Sequence, residues 1–250
     1  EELVVIENGS RAGAEELVAD LPDRMNARYM HRERGNKSYA LNEALETIED
    51  GLVVFFDDDV RVEPQVLVAY AEAAVEHGRG HFFGGPVEVD RESAPPDWLA
   101  EDFFPGSTQG YDLVETQITN EYLGFNWAAF SKTIKELGGF DPDFGPGSPA
   151  NAVGQETDMQ ERLIKAGISN SDVIAAKVYH YVPKENLTFL WLLNRKVRIG
   201  TRTGVRTEAS VPRFIIRALQ QVLTSLMVLG KGIAVGDLIK VIFVALNLAQ

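Results

Sequence analysis

Three consecutive carboxylates, Asp57-Asp58-Asp59, directly follow the apolar run Val53-Val54-Phe55-Phe56. This run is typical of a buried strand, and ligands of open α/β sheets bind in the crevice at the carboxyl ends of strands. Mg²⁺ and Mn²⁺ take oxygen ligands and commonly join one or two carboxylates to substrate phosphates. The acids therefore indicate a divalent metal at a site for a phosphate-bearing ligand. The plainer alternative is an acidic, solvated exit from a strand.

The first 90 residues, which must position these acids, alternate between strand-like and helical patterns. Such alternation predicts βαβ units and a mainly parallel sheet. Ser38 is the predicted N-cap of the second helix. The predicted strands are 3–6, 28–30, 53–56 and 81–87, the last of them broken by glycine, and the predicted helices are 14–20, 35–48 and 65–77.

The sequence from residue 90 to residue 180 is less regular. Residues 90–123 are rich in proline, acids and aromatics, and so long an irregular stretch usually indicates a functional loop. A glycine- and proline-rich loop is expected at 140–154. The other predicted elements are a strand at 124–130, helices at 131–137 and 156–166, and an apolar strand at 173–179 that His180 follows.

The bulk composition bounds the class of protein. The 250 residues include 24 basic and 37 acidic side chains, for a formal net charge of −13. This charge argues against a nucleic-acid partner, and the absence of cysteine excludes disulfides, thiolate catalysis and cysteine-ligated zinc. The N-terminus is neither basic nor followed by a long apolar run, so no signal peptide is predicted and we expect a cytoplasmic protein.

Five motifs, taken in order, resemble those of a known family. They are Val4-Val5-Ile6-Glu7-Asn8-Gly9-Ser10, Lys37-Ser38 with Ala40-Leu41-Asn42, Phe55-Phe56-Asp57-Asp58-Asp59, Gly138-Gly139-Phe140-Asp141 and Gly154-Gln155-Glu156-Thr157-Asp158. From residue 3 to about residue 205 the chain resembles family 2 glycosyltransferases of GT-A fold. The resemblance implies an α/β fold with a Rossmann-like mixed, mainly parallel sheet flanked by helices. It also implies an inverting, metal-dependent transfer of a single sugar from a nucleotide-diphosphate sugar to an acceptor hydroxyl.

The resemblance implies roles for the residues near the expected nucleotide. The acid triplet takes the place of the family's DXD motif: Asp57 and Asp58 belong to the nucleotide-sugar site, with Asp58 as spacer, and Asp59 ligates a divalent metal, Mg²⁺ or Mn²⁺. Glu7 and Asn8 occupy the loop that reads the base, although Glu7 is one methylene longer than the family's usual aspartate. Lys37 stands where a basic residue near the nucleotide is common.

The expected catalytic base is Glu156, which the resemblance aligns with an acidic position of the family. Asp158 is the rival candidate and would lie on another face of the same helix, about 200° away. Both acids are alternatively explained as first-turn carboxylates favoured by the helix macrodipole.

Four more residues are assigned to the site. His180 is expected to complete the ligand set of the metal, and Asn126 is assigned to the nucleotide-sugar site. Arg195 and Arg198 belong to the basic segment 194–202, which resembles one that lies near the pyrophosphate in this family. A structural histidine and a helix with a solvated cationic face are the plainer alternatives. The Gln-x-x-Arg-Trp pattern of processive polysaccharide synthases is absent there, which favours single-sugar transfer.

The expected partners are a UDP-, GDP- or dTDP-linked sugar donor and a glycan or lipid-linked acceptor of cell-envelope polysaccharide synthesis. After a catalytic domain at 1–205, residues 206–250 are predicted to form amphipathic helices. Basic residues beside apolar stripes at 213–250 suit peripheral contact with the inner face of the cell membrane. Packing on the catalytic domain, or on a second subunit of a homodimer, is the alternative.

Two other classes of function fit the same residues. A sugar-nucleotide nucleotidyltransferase shares the layout and uses metal-bound acids, although its usual glycine-rich basic loop is not visible here. An inactive sugar-nucleotide-binding module would bind without turnover. Family members normally carry another strand and helix before the strand at Leu3, so the chain is expected to be either a fragment or incomplete as a catalyst.

Overall fold

The computed structural model describes residues 1–95, 104–113 and 121–206 as a mixed α/β fold. The strands are β1 (Leu3–Asn8), β2 (Ala27–Arg32), β3 (Leu52–Phe55), β4 (Val60–Val62), β5 (His81–Gly84), β6 (Val87–Arg91), β7 (Trp127–Phe130), β8 (Ser169–Asp172) and β9 (Val178–Val182). The α-helices are α1 (Ala14–Ala19), α2 (Lys37–Glu46), α3 (Val66–His77), α4 (Gly106–Gln109), α5 (Ser131–Glu136), α6 (Gln155–Lys165) and α7 (Phe189–Arg206).

These strands form three sheets, with the orders β1-β2, β3-β7-β5-β8 and β4-β9-β6. The pairs β1/β2, β5/β8 and β6/β9 are parallel, whereas β3/β7, β5/β7 and β4/β9 are antiparallel. The predicted mixed sheet is therefore confirmed. The two kinds of pairing are equally frequent within the described ranges, because β7 pairs antiparallel with both β3 and β5, and β9 pairs antiparallel with β4.

The central four-stranded sheet is covered on both faces because its side chains alternate. Phe82 and Phe83 are neighbours in β5, yet they belong to different buried clusters. Phe82 shares its cluster with Leu45 of α2 and Leu163 of α6, while Phe83 packs with Tyr70 of α3. Helices α2 and α6 therefore lie on one face of the sheet and α3 lies on the other.

The predicted helices of the first 90 residues are confirmed as α1, α2 and α3, to within two residues at each end. The N-cap of α2 was assigned wrongly. Asn36, not Ser38, is the capping residue, and its side-chain oxygen accepts a hydrogen bond of 3.1 Å from the backbone N–H of Tyr39. Ser38 is buried and its hydroxyl donates instead to the carbonyl of Phe144 at 2.9 Å.

Two predicted strands have different limits in the structure. The run 81–87 divides into β5 and β6 at Gly85-Pro86, in agreement with the predicted break at glycine, and β6 continues to Arg91; a Cβ on Gly85 would lie 1.9 Å from the carbonyl oxygen of Ala176. The prediction of a strand at 173–179 was wrong, because residues 173–177 form a turn region before β9. His180 consequently lies in the middle of β9 and not after a strand.

Only part of the irregular stretch 90–123 is described. It contains the end of β6, the short helix α4, and a bridge in which the Tyr111 N–H donates to the Val87 carbonyl at 2.8 Å. The predictions for the amphipathic helices at 206–250, and for membrane contact through 213–250, concern residues outside the described ranges, apart from Arg206 at the end of α7. No helix within those ranges is both long enough and apolar enough to span a membrane.

Asn126, which the sequence assigned to the nucleotide sugar, is an internal structural residue with 0% exposure. Its amide nitrogen donates to the carbonyls of Pro86 at 3.0 Å and Ala176 at 2.9 Å. Its amide oxygen accepts a hydrogen bond of 2.8 Å from the Tyr70 hydroxyl. The side chain thus joins α3, the start of β6 and the turn before β9, and the assignment to a ligand is corrected.

Replacing Asn126 with alanine should destabilise the protein, because three buried polar groups would lose their partner. We expect Asn126→Ala to lower the free energy of unfolding by about 3 kcal/mol in urea denaturation followed by circular dichroism. Gln65→Ala removes an exposed amide and is the control, with a stability close to that of the wild type. An Asn126→Ala protein as stable as this control would contradict the structural role.

Candidate active site

A pocket in the described part of the chain brings together residues from both halves of the sequence. Five of the predicted site residues line it, namely Lys37, Asp57, Glu156, His180 and Arg195. Lining residues that the sequence did not predict include Ser107, Leu123, Gly124, Phe125, Asn186 and Trp191. The acids after β3, the start of α2, the start of α6 and one face of α7 therefore meet at one place.

The start of α2 is bonded to the end of β1 and to the loop that precedes α6. The backbone N–H of Asn36 donates to the Asn8 side-chain oxygen at 2.8 Å. The Asn36 side-chain amide donates to the carbonyl of Pro142 at 3.0 Å, and the Lys37 N–H donates to that of Pro146 at 2.9 Å. Asn36 is buried, so these bonds are protected from competition with water.

The same loop is fastened further along α2. The Asn42 amide accepts from the Phe140 N–H at 2.7 Å and donates to the Phe140 carbonyl at 2.8 Å. Gly147 has a φ of 81°, and a Cβ there would lie 2.4 Å from the carbonyl oxygen of Gly35. A glycine is required at this crossing, because the loop passes the start of α2 too closely for any side chain. These contacts fix the path of the chain from α5 to α6.

The three acids after β3 have different surroundings. Asp57 lines the pocket and forms a half-buried ion pair with the Lys37 ammonium group. Asp58 is exposed. The spacer role predicted for Asp58 is compatible with this position, and Asp57 and Lys37 share the wall where a nucleotide was expected.

Asp59 is held beside His180 by the pairing of β4 with β9. The carbonyl of Asp59 accepts a hydrogen bond of 2.8 Å from the N–H of Tyr181, and its carboxylate Oδ2 lies 3.3 Å from His180 Nε2. The hydrogen bond from His180 is the main cause that holds the pKa of Asp59 below its usual value, against the opposing effect of burial.

The surroundings of His180 fix its orientation and favour a cation at Nε2. Its Nδ1 lies 2.6 Å from the carbonyl oxygen of Ser107, which can only accept, so Nδ1 carries a proton. The ring stacks on Phe125, with centroids 4.4 Å apart. Nε2 is then the ring nitrogen that faces the Asp59 carboxylate and is available to a cation. A carbonyl acceptor at the second nitrogen is also the usual partner of a metal-binding histidine.

These residues fit a divalent cation that the ligand helps to hold. Among residues 1–95, 104–113 and 121–206, no three His, Asp or Glu side chains converge as a metal site on their own. Asp59 and His180 offer one carboxylate oxygen and one imidazole nitrogen. Mg²⁺ in particular is commonly bound by one or two protein ligands together with substrate phosphates and water.

Of the two candidate bases on α6, Glu156 lines the pocket and Asp158 is engaged elsewhere. Asp158 accepts a hydrogen bond of 2.8 Å from Arg162, whose guanidinium also donates to the carbonyl of Leu137 at 2.7 Å. Gly124 leaves room for Glu156, because a Cβ on Gly124 would lie 3.1 Å from the Glu156 carboxyl carbon. The geometry therefore favours Glu156 as the carboxylate available to a ligand.

The two predicted arginines of α7 differ in their contacts. Arg195 lines the pocket, and its buried Nε has no hydrogen-bond partner among the described residues. Burial lowers the pKa of Arg195, while the nearby negative charge of Glu156 acts in the opposite direction. Arg198 is not among the lining residues, and its Nε donates to the carbonyl of Asn151 at 3.1 Å.

Glu7 and Asn8, predicted to read the base, do not line the pocket. Glu7 accepts a hydrogen bond of 2.5 Å from the Tyr29 hydroxyl and another from the Ala12 N–H. The bond from Tyr29 is the main cause that lowers the pKa of Glu7, and the same bond raises that of Tyr29 to about 12. Asn8 uses its side-chain oxygen to hold Asn36.

The pocket residues that were not predicted differ in whether a sequence pattern could have identified them. Trp191 precedes Arg195 by four positions, which places both on one face of a helix, so that spacing was a usable signal. Ser107 and Asn186 acquire their positions through the folding of distant segments. No local pattern distinguishes them from other polar loop residues.

Comparison with known proteins gives a family and three similar folds. The family model described as "Glycosyl transferase family 2" matches residues 1–138. A solved structure of GalNAc-T7 with UDP, GalNAc and Mn²⁺ has a TM-score of 0.52 at 13% identity over 78% of this chain. The structure of the mannosyltransferase PcManGT of Pyrobaculum calidifontis with GDP-Man and Mn²⁺ has a TM-score of 0.55 at 20% identity over 85% of this chain. The structure of TarS of S. aureus has a TM-score of 0.51 at 14% identity over 85% of this chain.

At these identities the three solved structures establish the fold alone, and the predicted GT-A fold is confirmed. The chain spans 41%, 57% and 35% of the lengths of GalNAc-T7, PcManGT and TarS respectively. No curated protein matches the chain.

Proposed function

The chain belongs to glycosyl transferase family 2, and we propose that it is an inverting, metal-dependent enzyme that transfers a single sugar from a nucleotide-diphosphate sugar to an acceptor hydroxyl. One observation carries the proposal: Glu156 and His180, the partner of Asp59, line the same pocket. A carboxylate that can take a proton and an imidazole that can bind a cation together with Asp59 therefore face one pocket.

The wall formed by Asp57, Lys37 and His180 is our proposed donor site. Lys37 and Arg195 supply two cationic groups to a pocket that Asp57 and Glu156 also line, and a diphosphate would be attracted to these two groups. The structures of GalNAc-T7 and PcManGT contain UDP and GDP-Man, each with Mn²⁺. For this chain UDP, GDP and dTDP remain the three nucleotides to be tested.

Asp59 and His180 would hold the divalent cation. When bound, such a cation neutralises the negative charge that develops on the diphosphate leaving group. Lys37 keeps its ammonium group beside Asp57 and contributes further positive charge to the same wall.

Glu156 acts as the general base in this proposal. Its carboxylate accepts the proton of the acceptor hydroxyl while the hydroxyl oxygen forms a bond to the anomeric carbon of the donor sugar. The bond between that carbon and the diphosphate oxygen breaks at the same time, and its electron pair leaves with the nucleoside diphosphate. One displacement of this kind inverts the configuration at the anomeric carbon.

The metal assignment predicts a specific loss of binding in Asp59→Asn. Isothermal titration calorimetry with UDP, GDP and dTDP should show one nucleotide that wild-type protein binds more tightly with Mn²⁺ than without it. Asp59→Asn should lose this gain, because the substitution removes a charged oxygen ligand. Asp58→Asn changes an adjacent, exposed carboxylate by the same atoms and should retain the gain.

If Mn²⁺ increases the nucleotide affinity of Asp59→Asn and of Asp58→Asn by the same factor, the metal site does not include Asp59. A wild-type protein that binds a nucleotide equally well with and without Mn²⁺ would refute the metal dependence.

The proposed base predicts that Glu156→Gln lowers kcat for transfer by about 10²–10⁴-fold, because the amide cannot accept the proton. This rate is measured by monitoring the release of the nucleoside diphosphate with chromatography. The affinity of Glu156→Gln for the nucleotide should be unchanged. Asp158→Asn is the comparison: it breaks the ion pair with Arg162, so we expect a lower Tm and a much smaller loss of rate.

The opposite pattern, with the larger loss of rate in Asp158→Asn at an unchanged Tm, would make Asp158 the base. Nucleotide binding by a wild-type protein that never turns over would instead favour an inactive binding module.

A further inference from the structure

Trp191 is a half-buried residue at the start of α7 and lines the pocket. Its neighbour Leu192 is fully buried, and Leu190 is 74% exposed. The pocket-facing side of this helix turn is therefore occupied by Trp191, while the adjacent residues point into the core and into solvent. The backbone N–H of Trp191 donates to the Thr188 hydroxyl at 3.3 Å, which fixes the beginning of the helix.

Trp191 differs from the other aromatic ring at the pocket wall. The face of Phe125 is covered by the imidazole of His180, at an interplanar angle of 9°. No ring or cation–π contact to another described residue involves the Trp191 indole, and its N–H donates to none of them. The indole thus offers both an apolar face and one hydrogen-bond donor to a ligand, together with the aliphatic side chain of Leu123.

The position of Trp191 relative to the proposed base decides which substrate would use it. Arg195, one helical turn further along α7, lies close enough to Glu156 for the two charges to interact. Glu156 also lies against Gly124, next to Leu123. Trp191 and Leu123 therefore belong to the side of the pocket where an acceptor hydroxyl must reach Glu156, whereas Asp57 and Lys37 supply the polar donor wall.

We propose that Trp191 is a specificity-determining residue that stacks on the apolar face of a pyranose ring of the acceptor, so that the acceptor is a glycan or the sugar end of a glycoconjugate. The inference rests on the proposed function. A pyranose presents C–H groups on one face and hydroxyls at its edge, and these match the indole face and its N–H. The unpaired Nε–H of Arg195 would donate a hydrogen bond to an oxygen of the same ligand or of the donor diphosphate.

The test compares Trp191→Ala, Trp191→Phe and the helix control Leu190→Ala. The acceptor probes are octyl glucoside, octyl galactoside and octyl N-acetylglucosaminide, with octyl glycerol as a probe that has hydroxyls but no ring. The donor is the sugar nucleotide whose base is established by calorimetry. Two rates are measured for each protein, namely transfer to each probe and hydrolysis of the donor by water.

We expect the wild type to use at least one octyl glycoside in preference to octyl glycerol. Trp191→Ala should raise the KM for that glycoside about tenfold, leaving donor hydrolysis and nucleotide affinity unchanged. Trp191→Phe should recover most of the affinity, because it retains an aromatic face, and Leu190→Ala should behave as wild type.

Three results would overturn the inference alone: an unchanged KM in Trp191→Ala, an equal preference for octyl glycerol, or a wild type that hydrolyses the donor yet uses no glycoside. A loss of nucleotide affinity in Trp191→Ala would assign the ring to the donor and equally overturn it. A wild-type protein that binds no nucleotide would refute the proposed function itself.

Discussion

The buried amide of Asn36 is the constraint on which the pocket depends. This one residue caps α2, and its backbone N–H donates a hydrogen bond to the Asn8 side chain at the end of β1. Its side-chain amide donates to the carbonyl of Pro142 in the loop before α6. Since a buried amide without its partners costs about 1–3 kcal/mol for each unsatisfied group, these three segments hold their relative positions together. Lys37, the next residue, is thereby directed to Asp57.

Two sets of contacts position the proposed base and the proposed ligands for a cation. The loop fastened to α2 leads into α6 and so sets the position of Glu156, with Gly124 leaving the necessary space. On the other side, the pairing of β4 with β9 places Asp59 beside His180, which Ser107 and the ring of Phe125 hold in one orientation. The proposed base and the proposed ligands for a cation are thus positioned by different contacts, although the adjacent residues Gly124 and Phe125 each take part in one of them.

The sequence predicted those candidate site residues that their immediate neighbours in the chain distinguish. Acids directly after an apolar strand and a carboxylate in the first turn of an amphipathic helix can be recognised from their neighbours. Asn126 was misassigned because a polar residue inside an apolar strand can face either a ligand or buried carbonyls, and the partners Tyr70 and Ala176 are distant in sequence. The N-cap at Asn36 was missed for a similar reason: two adjacent residues could each cap the helix, and contacts with the later loop decide between them.

The most direct test is a crystal structure with Mn²⁺ and the nucleoside diphosphate that binds, in which the metal is located by its anomalous scattering. We predict manganese between Asp59 and Nε2 of His180, with phosphate oxygens completing its ligands and the Glu156 carboxylate facing the same pocket. Manganese bound away from His180, with Nε2 still hydrogen-bonded to Asp59, would contradict this arrangement. A Glu156 side chain directed away from the nucleotide would contradict its role as the base.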